Sequence, residues 1–184
     1  MARPYLLFAA AALALPLPVA AGVTVIGSGN ARICYVAAES KIGARRADIQ
    51  SCDAALMEEK LNRRVLVATH VNRGILRQRY GNLAGALADF DAATALNPEE
   101  PEAYLNRAST LLRQNDVSRA ITEFDAALAK KTRRPALAYY GRALAHEEAG
   151  NLRAAYRDYR QASQLAPSWD EPRRELNRFR VVSN

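Results

Sequence analysis

The fold of this chain is decided by residues 81–98, which read GNLAGALADFDAATALNP. Gly81 suits the left-handed end of one helix, and Asn82 can cap the start of the next. Pro98 cannot continue that helix, because proline lacks the amide hydrogen and clashes with the preceding turn. The stretch therefore predicts a tight turn followed by a single helix with a defined beginning and end.

The same pattern returns twice further along the chain. Residues 67–100, 101–134 and 136–169 align as three windows that each read as helix, turn and helix. Three rows of small residues mark where helices approach closely, and a row of rings fills the space beside them. These rows are Gly74, Ala108 and Ala143; Ala86, Ala120 and Ala155; Ala93, Ala127 and Ala162; and the rings Phe90, Phe124 and Tyr159. The repetition predicts an all-α solenoid of antiparallel helix hairpins.

Composition agrees with this interpretation. The 184 residues include 37 alanines, 49% are hydrophobic and only 7% are aromatic. Abundant alanine favours closely packed helices, and a β-sandwich would need more β-branched and aromatic residues. The apolar fraction is also too high for a disordered chain.

The second helix of each window resembles that of the tetratricopeptide repeat (TPR) family, which expects alanine, an aromatic, alanine and proline at fixed spacing. The first and third windows match all four positions and the second matches three. The matching residues are Ala86, Phe90, Ala93 and Pro98; Ala120, Phe124 and Ala127; and Ala155, Tyr159, Ala162 and Pro167. The first helices match less fully, with Tyr104 and Tyr139 at the leading aromatic position but His70 in the first window.

The resemblance implies a concave groove, lined by the first helix of each repeat, that holds a peptide. The residues it places there as peptide contacts are Asn72, Arg79, Asn106, Ser109, Arg113 and Tyr140, with Ile75, Leu144 and Glu147 beside them. Asparagine can bond a peptide backbone, and arginine can hold a carboxylate with two hydrogen bonds. The family's carboxylate-clamp variety is not implied, because Val71 and Gly141 stand where it needs basic residues.

A basic residue of each first helix is followed sixteen residues later by an acid. The pairs are Arg73 with Asp89, Arg107 with Glu123, and Arg142 with Asp158. This interval reaches from one helix, across the turn, to the facing helix. The pattern favours structural ion pairs within each hairpin over a basic row that binds a ligand.

The chain begins MARPYLLFAAAALALPLPVAAG, the layout of a secretory signal peptide over residues 1–21. The apolar run 6–15 is too short for a membrane span, which makes an uncleaved anchor the lesser alternative. We expect an exported, periplasmic product. Residues 22–66 are expected to hold a degenerate helical hairpin, residues 67–169 the three repeats, and residues 170–184 a capping helix and tail.

Cys34 and Cys52 are the two cysteines of the chain. An even number of cysteines in an oxidising compartment favours a disulfide. Each cysteine also shares a helical face with small or apolar residues, so two packed helices would bring the thiols together. A redox or metal site is the alternative, but neither a CxxC motif nor a nearby histidine supports it.

The sequence contains no catalytic constellation, and we predict neither an enzyme nor a bound cofactor or metal. His70 and His146 occupy non-equivalent repeat positions and are expected to be packing or surface residues. The formal charge of +7 would suit nucleic acid, but predicted export and the lack of interleaved aromatics argue against it. The expected partner is a protein or peptide. The alternative is a structural envelope component that associates with itself as a homo-oligomer.

Overall fold

A computed structural model describes residues 29–40 and 43–179 of the chain. The predicted signal peptide, 1–21, lies outside the described residues. The described residues form α-helices and contain no strand. The helices are α1 Asn30–Glu39, α2 Arg46–Glu58, α3 Arg63–Tyr80, α4 Leu83–Leu96, α5 Pro101–Arg113, α6 Val117–Ala129, α7 Pro135–Glu148, α8 Leu152–Leu165 and α9 Asp170–Leu176.

The helices pair as antiparallel hairpins stacked in chain order. We call α1, α3, α5 and α7 the first helices, and α2, α4, α6 and α8 the second helices. Each first helix after α1 packs against the second helix of its own hairpin and against both helices of the preceding one, as α5 does with α6, α4 and α3. Helix α9 packs on α8 at the end of the stack. The predicted all-α solenoid is therefore confirmed.

The turns inside the hairpins follow the local sequence. Gly81 and Gly150 adopt φ values of 95° and 75°, and Asn115 adopts 62°. This left-handed conformation ends a helix at little cost for glycine or asparagine. The side chains of Asn82 and Asp116 then accept hydrogen bonds from the backbone amides of Gly85 and Arg119, which caps the next helix.

The repeated rings form the centre of the core. Phe90 and Tyr159 are fully buried and Phe124 nearly so. The ring of Phe90 lies where a methyl group on Gly74, in its own hairpin, would come within 2.5 Å of it. The ring of Phe124 instead approaches Gly141 in the next hairpin, where the corresponding distance is 2.4 Å. Each glycine thus allows a close approach that alanine would obstruct.

The first hairpin is joined by a disulfide between Cys34 of α1 and Cys52 of α2, whose Cα atoms are 4.8 Å apart. Both cysteines are completely buried, and both helices also pack against α3. The predicted capping helix and tail cover residues 170–184, of which the structure describes residues 170–179, including α9. Helix α9 ends at Leu176, which packs with Phe179 against the core around Tyr159.

Candidate functional site

The open part of the predicted groove lies on α5. Asn106, Ser109 and Arg113 follow one another at helical spacing on one face of α5, and the first two are partly buried while Arg113 is exposed. The amide of Asn106 donates to the backbone oxygen of Glu102 at 2.7 Å. The guanidinium of Arg113 donates to the backbone oxygen of Gln78 at 2.7 Å, which links the ends of α5 and α3.

Arg79 lies at the end of α3, beside the end of α1. Its guanidinium donates to the backbone oxygen of Ser40 at 2.9 Å. Desolvation lowers the pKa of Arg79, and the nearby charge of Glu39 opposes that shift only in part. A partly desolvated guanidinium is a strong donor for a carboxylate that enters the same space.

Asn72 differs from the others, because its side chain is completely buried. Ile75, one turn further along α3, is 2% exposed. Helix α1 packs against α3, so the additional N-terminal hairpin covers surface of α3 that a first repeat would leave open. Asn72 is therefore closed to a ligand in this structure, in contrast to its expected place in the groove.

The groove positions of the third repeat are occupied by the C-terminal segment. The ring of Tyr140 lies 4.8 Å from that of Trp169, and Leu144 packs with Leu176 and Phe179. Glu147 accepts a hydrogen bond from the hydroxyl of Tyr159 at 2.8 Å and one from Arg178 at 2.6 Å. These contacts confine the accessible groove to α5 and the end of α3. They also show why Tyr140 is a core and capping residue here.

A charged cluster that the sequence did not suggest borders the groove at the start of α5. Glu102 is 1% exposed, and its Oε1 accepts from the hydroxyl of Thr132 at 2.9 Å and the amide of Arg133 at 2.8 Å. Its Oε2 is buried and has no hydrogen-bond partner among the described residues. Desolvation lowers the pKa of Arg134, whose charge interacts with those of Glu102, Glu39 and Arg79.

This cluster carried no recognisable sequence signal. An acid in the first turn of a helix is a common way to complement the helix dipole. Glu102 is therefore indistinguishable in sequence from a solvent-exposed residue of that kind. Its burial follows from the position of the α6–α7 turn, which supplies both of its hydrogen-bond donors.

The three predicted arginine–acid pairs face each other across their hairpins. The closest distances are 2.6 Å for Arg73 and Asp89, 2.8 Å for Arg107 and Glu123, and 2.7 Å for Arg142 and Asp158. Each arginine also contacts a second acid on the preceding second helix. These acids are Asp53, 2.7 Å from Arg73; Asp91, 2.7 Å from Arg107; and Asp125, paired with Arg142. The arginines thus connect neighbouring hairpins as well as the two helices of one hairpin.

The first repeat surrounds its acid most completely. Asp89 is 2% exposed and accepts hydrogen bonds from Arg73 and Arg77, and its Oδ1 lies 3.2 Å from Nδ1 of His70. Burial alone would raise the pKa of Asp89, but the bonds from His70 and Arg73 and the nearby positive charges lower it overall. In the later repeats a tyrosine occupies the place of His70, and Tyr104 lies under the guanidinium of Arg107 at 5.0 Å.

Within residues 29–40 and 43–179, no group of three or more His, Cys, Asp or Glu side chains could hold a metal ion. No helix in that part of the chain is both long and apolar enough to cross a bilayer.

Known proteins with the same helical repeat are similar to this chain. The tetratricopeptide repeat family model matches residues 71–135 and 107–168. The first TPR domain of human RPAP3 is 24% identical and has a TM-score of 0.58, covering 61% of this chain and 87% of that domain. The first TPR of Spaghetti (RPAP3), bound to the HSP90 peptide SRMEEVD, is also 24% identical with a TM-score of 0.58, over 61% and 88% of the two chains.

MamA from Desulfovibrio magneticus has a similar fold. MamA residues 41 to the end are 22% identical, with a TM-score of 0.61 and 71% of each chain covered. No curated protein matched the chain. At these identities the solved structures show a shared fold.

Proposed function

Because this chain belongs to the tetratricopeptide repeat family, we propose that it is a non-catalytic scaffold that binds a segment of another protein along α5 and the end of α3. The observation that carries the proposal is the row Asn106, Ser109 and Arg113 on the accessible face of α5, with Arg79 at the end of α3. An amide, a hydroxyl and two guanidinium groups can form hydrogen bonds with the backbone of an extended peptide and with its carboxylates.

The chemistry of the groove favours an acidic segment. Arg79 and Arg113 are exposed, and among the described residues their guanidinium groups donate to backbone oxygens and to no carboxylate. In the related Spaghetti structure the bound peptide, SRMEEVD, carries three acidic residues. Asn72 and Tyr140 are left out of the proposed contacts because other parts of this chain cover them.

Site-specific photocrosslinking tests this proposal. A photoreactive amino acid replaces Ser109 on α5 or, as a control, Thr122 on the exposed face of α6, in cells that make the protein. We expect a discrete crosslinked partner from position 109 that disappears in the double variant Asn106→Ala, Arg113→Ala. Equal adducts from both positions, or adducts that survive the double variant, would contradict the groove assignment.

A second function, self-association, is favoured by the outer face of the first hairpin. Ile33 and Val36 of α1 are 54% and 56% exposed. They line an open cavity of about 690 Å³ that also reaches Gly29 and Ala37. Exposed apolar surface of this kind commonly marks an interface. Light scattering of the purified protein and of Ile33→Ser, Val36→Ser distinguishes an oligomer built on this face from a monomer.

The proposal includes export from the cell, with residues 1–21 removed as a signal peptide. The buried disulfide between Cys34 and Cys52 supports this, because such bonds persist in oxidising compartments. The mass of the protein recovered from the native host should correspond to a chain that begins near residue 22. Recovery of the full-length chain from the cytoplasm with two free thiols would exclude export.

A further inference from the structure

The third repeat carries a polar cleft between α7 and α8 that is separate from the groove. Its volume is about 400 Å³, and Tyr139, His146, Arg157 and Gln161 are among the residues that line it. Nδ1 of His146 is buried there without a hydrogen-bond partner in the described part of the chain. A buried polar atom of this kind is costly unless something satisfies it.

The residues that open this cleft are peculiar to the third repeat. The place of His146 is taken by Leu111 in the second repeat and by Arg77 in the first. Arg77 is long enough to reach Asp89 at 2.8 Å, whereas the shorter imidazole of His146 makes no such contact. The place of Arg157 is taken by Thr122 and Ala88.

The exposed face of α8 is also basic only in this repeat. Arg153, Arg157 and Arg160 are all exposed and lie at helical spacing on one face. The corresponding positions hold Ala84, Ala88 and Asp91 in the first repeat and Ser118, Thr122 and Asp125 in the second. Arg160 therefore stands where the other repeats place an acid, and the three guanidinium groups raise the positive potential at the mouth of the cleft.

The cleft contains one acid among its lining residues, and that acid is neutralised. Both oxygens of Asp158 accept hydrogen bonds from Arg142, at 2.7 and 2.8 Å. Arg157, by contrast, has no ion pair with any described residue. The charge that remains available in the cleft is therefore positive.

We propose that this cleft binds a phosphate group, presented either by a small organic phosphate or by a phospholipid headgroup. Arg157 and Gln161 would donate from α8, and His146 and Tyr139 from α7. Four donors spread over two helices suit a tetrahedral oxyanion better than a carboxylate, whose acceptor sites all lie in one plane. The tetrahedral oxygens of phosphate can meet donors on both sides, and arginine binds them with paired hydrogen bonds.

Binding to the full-length folded protein tests the proposal. Glycerol 3-phosphate and inorganic phosphate are titrated by calorimetry at constant ionic strength, because exposed charges are screened by salt. Succinate serves as the carboxylate control. Phosphatidylglycerol and phosphatidylcholine vesicles are compared by co-sedimentation. Binding of soluble phosphates identifies the free group as a ligand, and binding only to phosphatidylglycerol vesicles identifies the headgroup.

Two variants carry residues that the second repeat already accommodates at the same places. Arg157→Thr and His146→Leu should each weaken phosphate binding about tenfold, since each removes a donor to a charged group. Arg119→Ala removes an exposed arginine from α6, 65% exposed in its side chain, and should leave affinity unchanged. Circular dichroism verifies the fold of each variant.

Three results would overturn the proposal. The first is no binding of any phosphate or phosphatidylglycerol vesicle. The second is succinate binding as tightly as glycerol 3-phosphate. The third is an equal loss of affinity in Arg119→Ala, which would mean that net charge rather than the cleft determines binding. None of these results bears on the groove, so the two functional assignments can fail separately.

Discussion

At the scale of single residues, the second-repeat arginine shows how one side chain can hold three helices. Arg107 of α5 donates to Glu123 of α6 at 2.9 and 2.8 Å and to Asp91 of α4 at 2.7 Å. Its side chain is 13% exposed and lies over the ring of Tyr104. Glu123 is also mostly withdrawn from water, at 17% exposure, so losing Arg107 would leave a largely buried carboxylate without its partner.

We therefore expect Arg107→Ala to lower the free energy of unfolding by more than about 1 kcal/mol, beyond the roughly ±0.5 kcal/mol typical of a surface change. Urea denaturation monitored by circular dichroism measures the difference. Arg119→Ala, at an exposed i,i+3 pair, is the matched control. Equal stability of the two variants would mean that the bridging arginine contributes little to stability.

Gly74 illustrates close packing at the same scale. A methyl group added there would lie 2.5 Å from the ring of Phe90, which is fully buried. Alanine gains about 1 kcal/mol of helix propensity over glycine, but overpacking a core costs about 1–3 kcal/mol. Gly74→Ala should therefore be destabilised in thermal unfolding. Gly43→Ala, where the added group meets no atom of the described residues within 4 Å, should not be destabilised. A stabilised Gly74→Ala would show that the ring can move.

At the scale of elements, the first hairpin depends on its covalent link. Helices α1 and α2 have 10 and 13 residues and are joined by the bond between Cys34 and Cys52. The row of rings that fills the later hairpins has no counterpart here, since Ser51 stands at the ring position. The disulfide therefore substitutes in part for core packing in this hairpin.

Reduction of the disulfide should lower the free energy of unfolding by about 3 kcal/mol, the value expected for closing a loop of this length. Hydrogen exchange should accelerate in α1 and α2 and remain slow in α5 to α8. The double variant Cys34→Ala, Cys52→Ala should be insensitive to reductant and serves as the control. Uniform acceleration across all hairpins would instead show that the first hairpin stabilises the whole stack.

At the scale of the whole molecule, stability depends on arginine-centred ion pairs, some within one hairpin and some joining one hairpin to the next. Asp89 is the most buried of the acids in these pairs, and its pKa lies below the ordinary value of 3.8. A carboxylate with a lowered pKa stabilises the folded state above the unfolded pKa. That contribution is lost as the pH falls through the folded value.

The folded protein should therefore lose stability as the pH falls below about 5, where the unfolded carboxyl begins to bind protons. Asp89→Asn should be less stable than wild type at neutral pH but should lose less between pH 5 and pH 3. Asp170→Asn changes an exposed residue of α9, and its free energy of unfolding should vary with pH as it does in wild type. Urea titrations at each pH measure the free energy of unfolding. If this free energy falls equally with pH in wild type and Asp89→Asn, groups other than Asp89 cause the acid sensitivity.

The sequence alone determined the repeat, the turns within it and the acid that faces the arginine across each hairpin. These features depend on contacts between residues at fixed spacing, such as Gly81 and Asn82 at a turn or Arg107 and Glu123 across it. Helical periodicity and the length of the turn are sufficient to place such pairs.

Only the tertiary structure decided which surfaces remain open. The burial of Asn72, the covering of Tyr140 by Trp169 and the second acid bound by each arginine all depend on how neighbouring hairpins pack. That packing is set by the crossing of whole helices, which no local spacing encodes. The repeat can therefore be predicted from the sequence. The accessible groove and the cleft beside His146 depend on how the hairpins pack against one another.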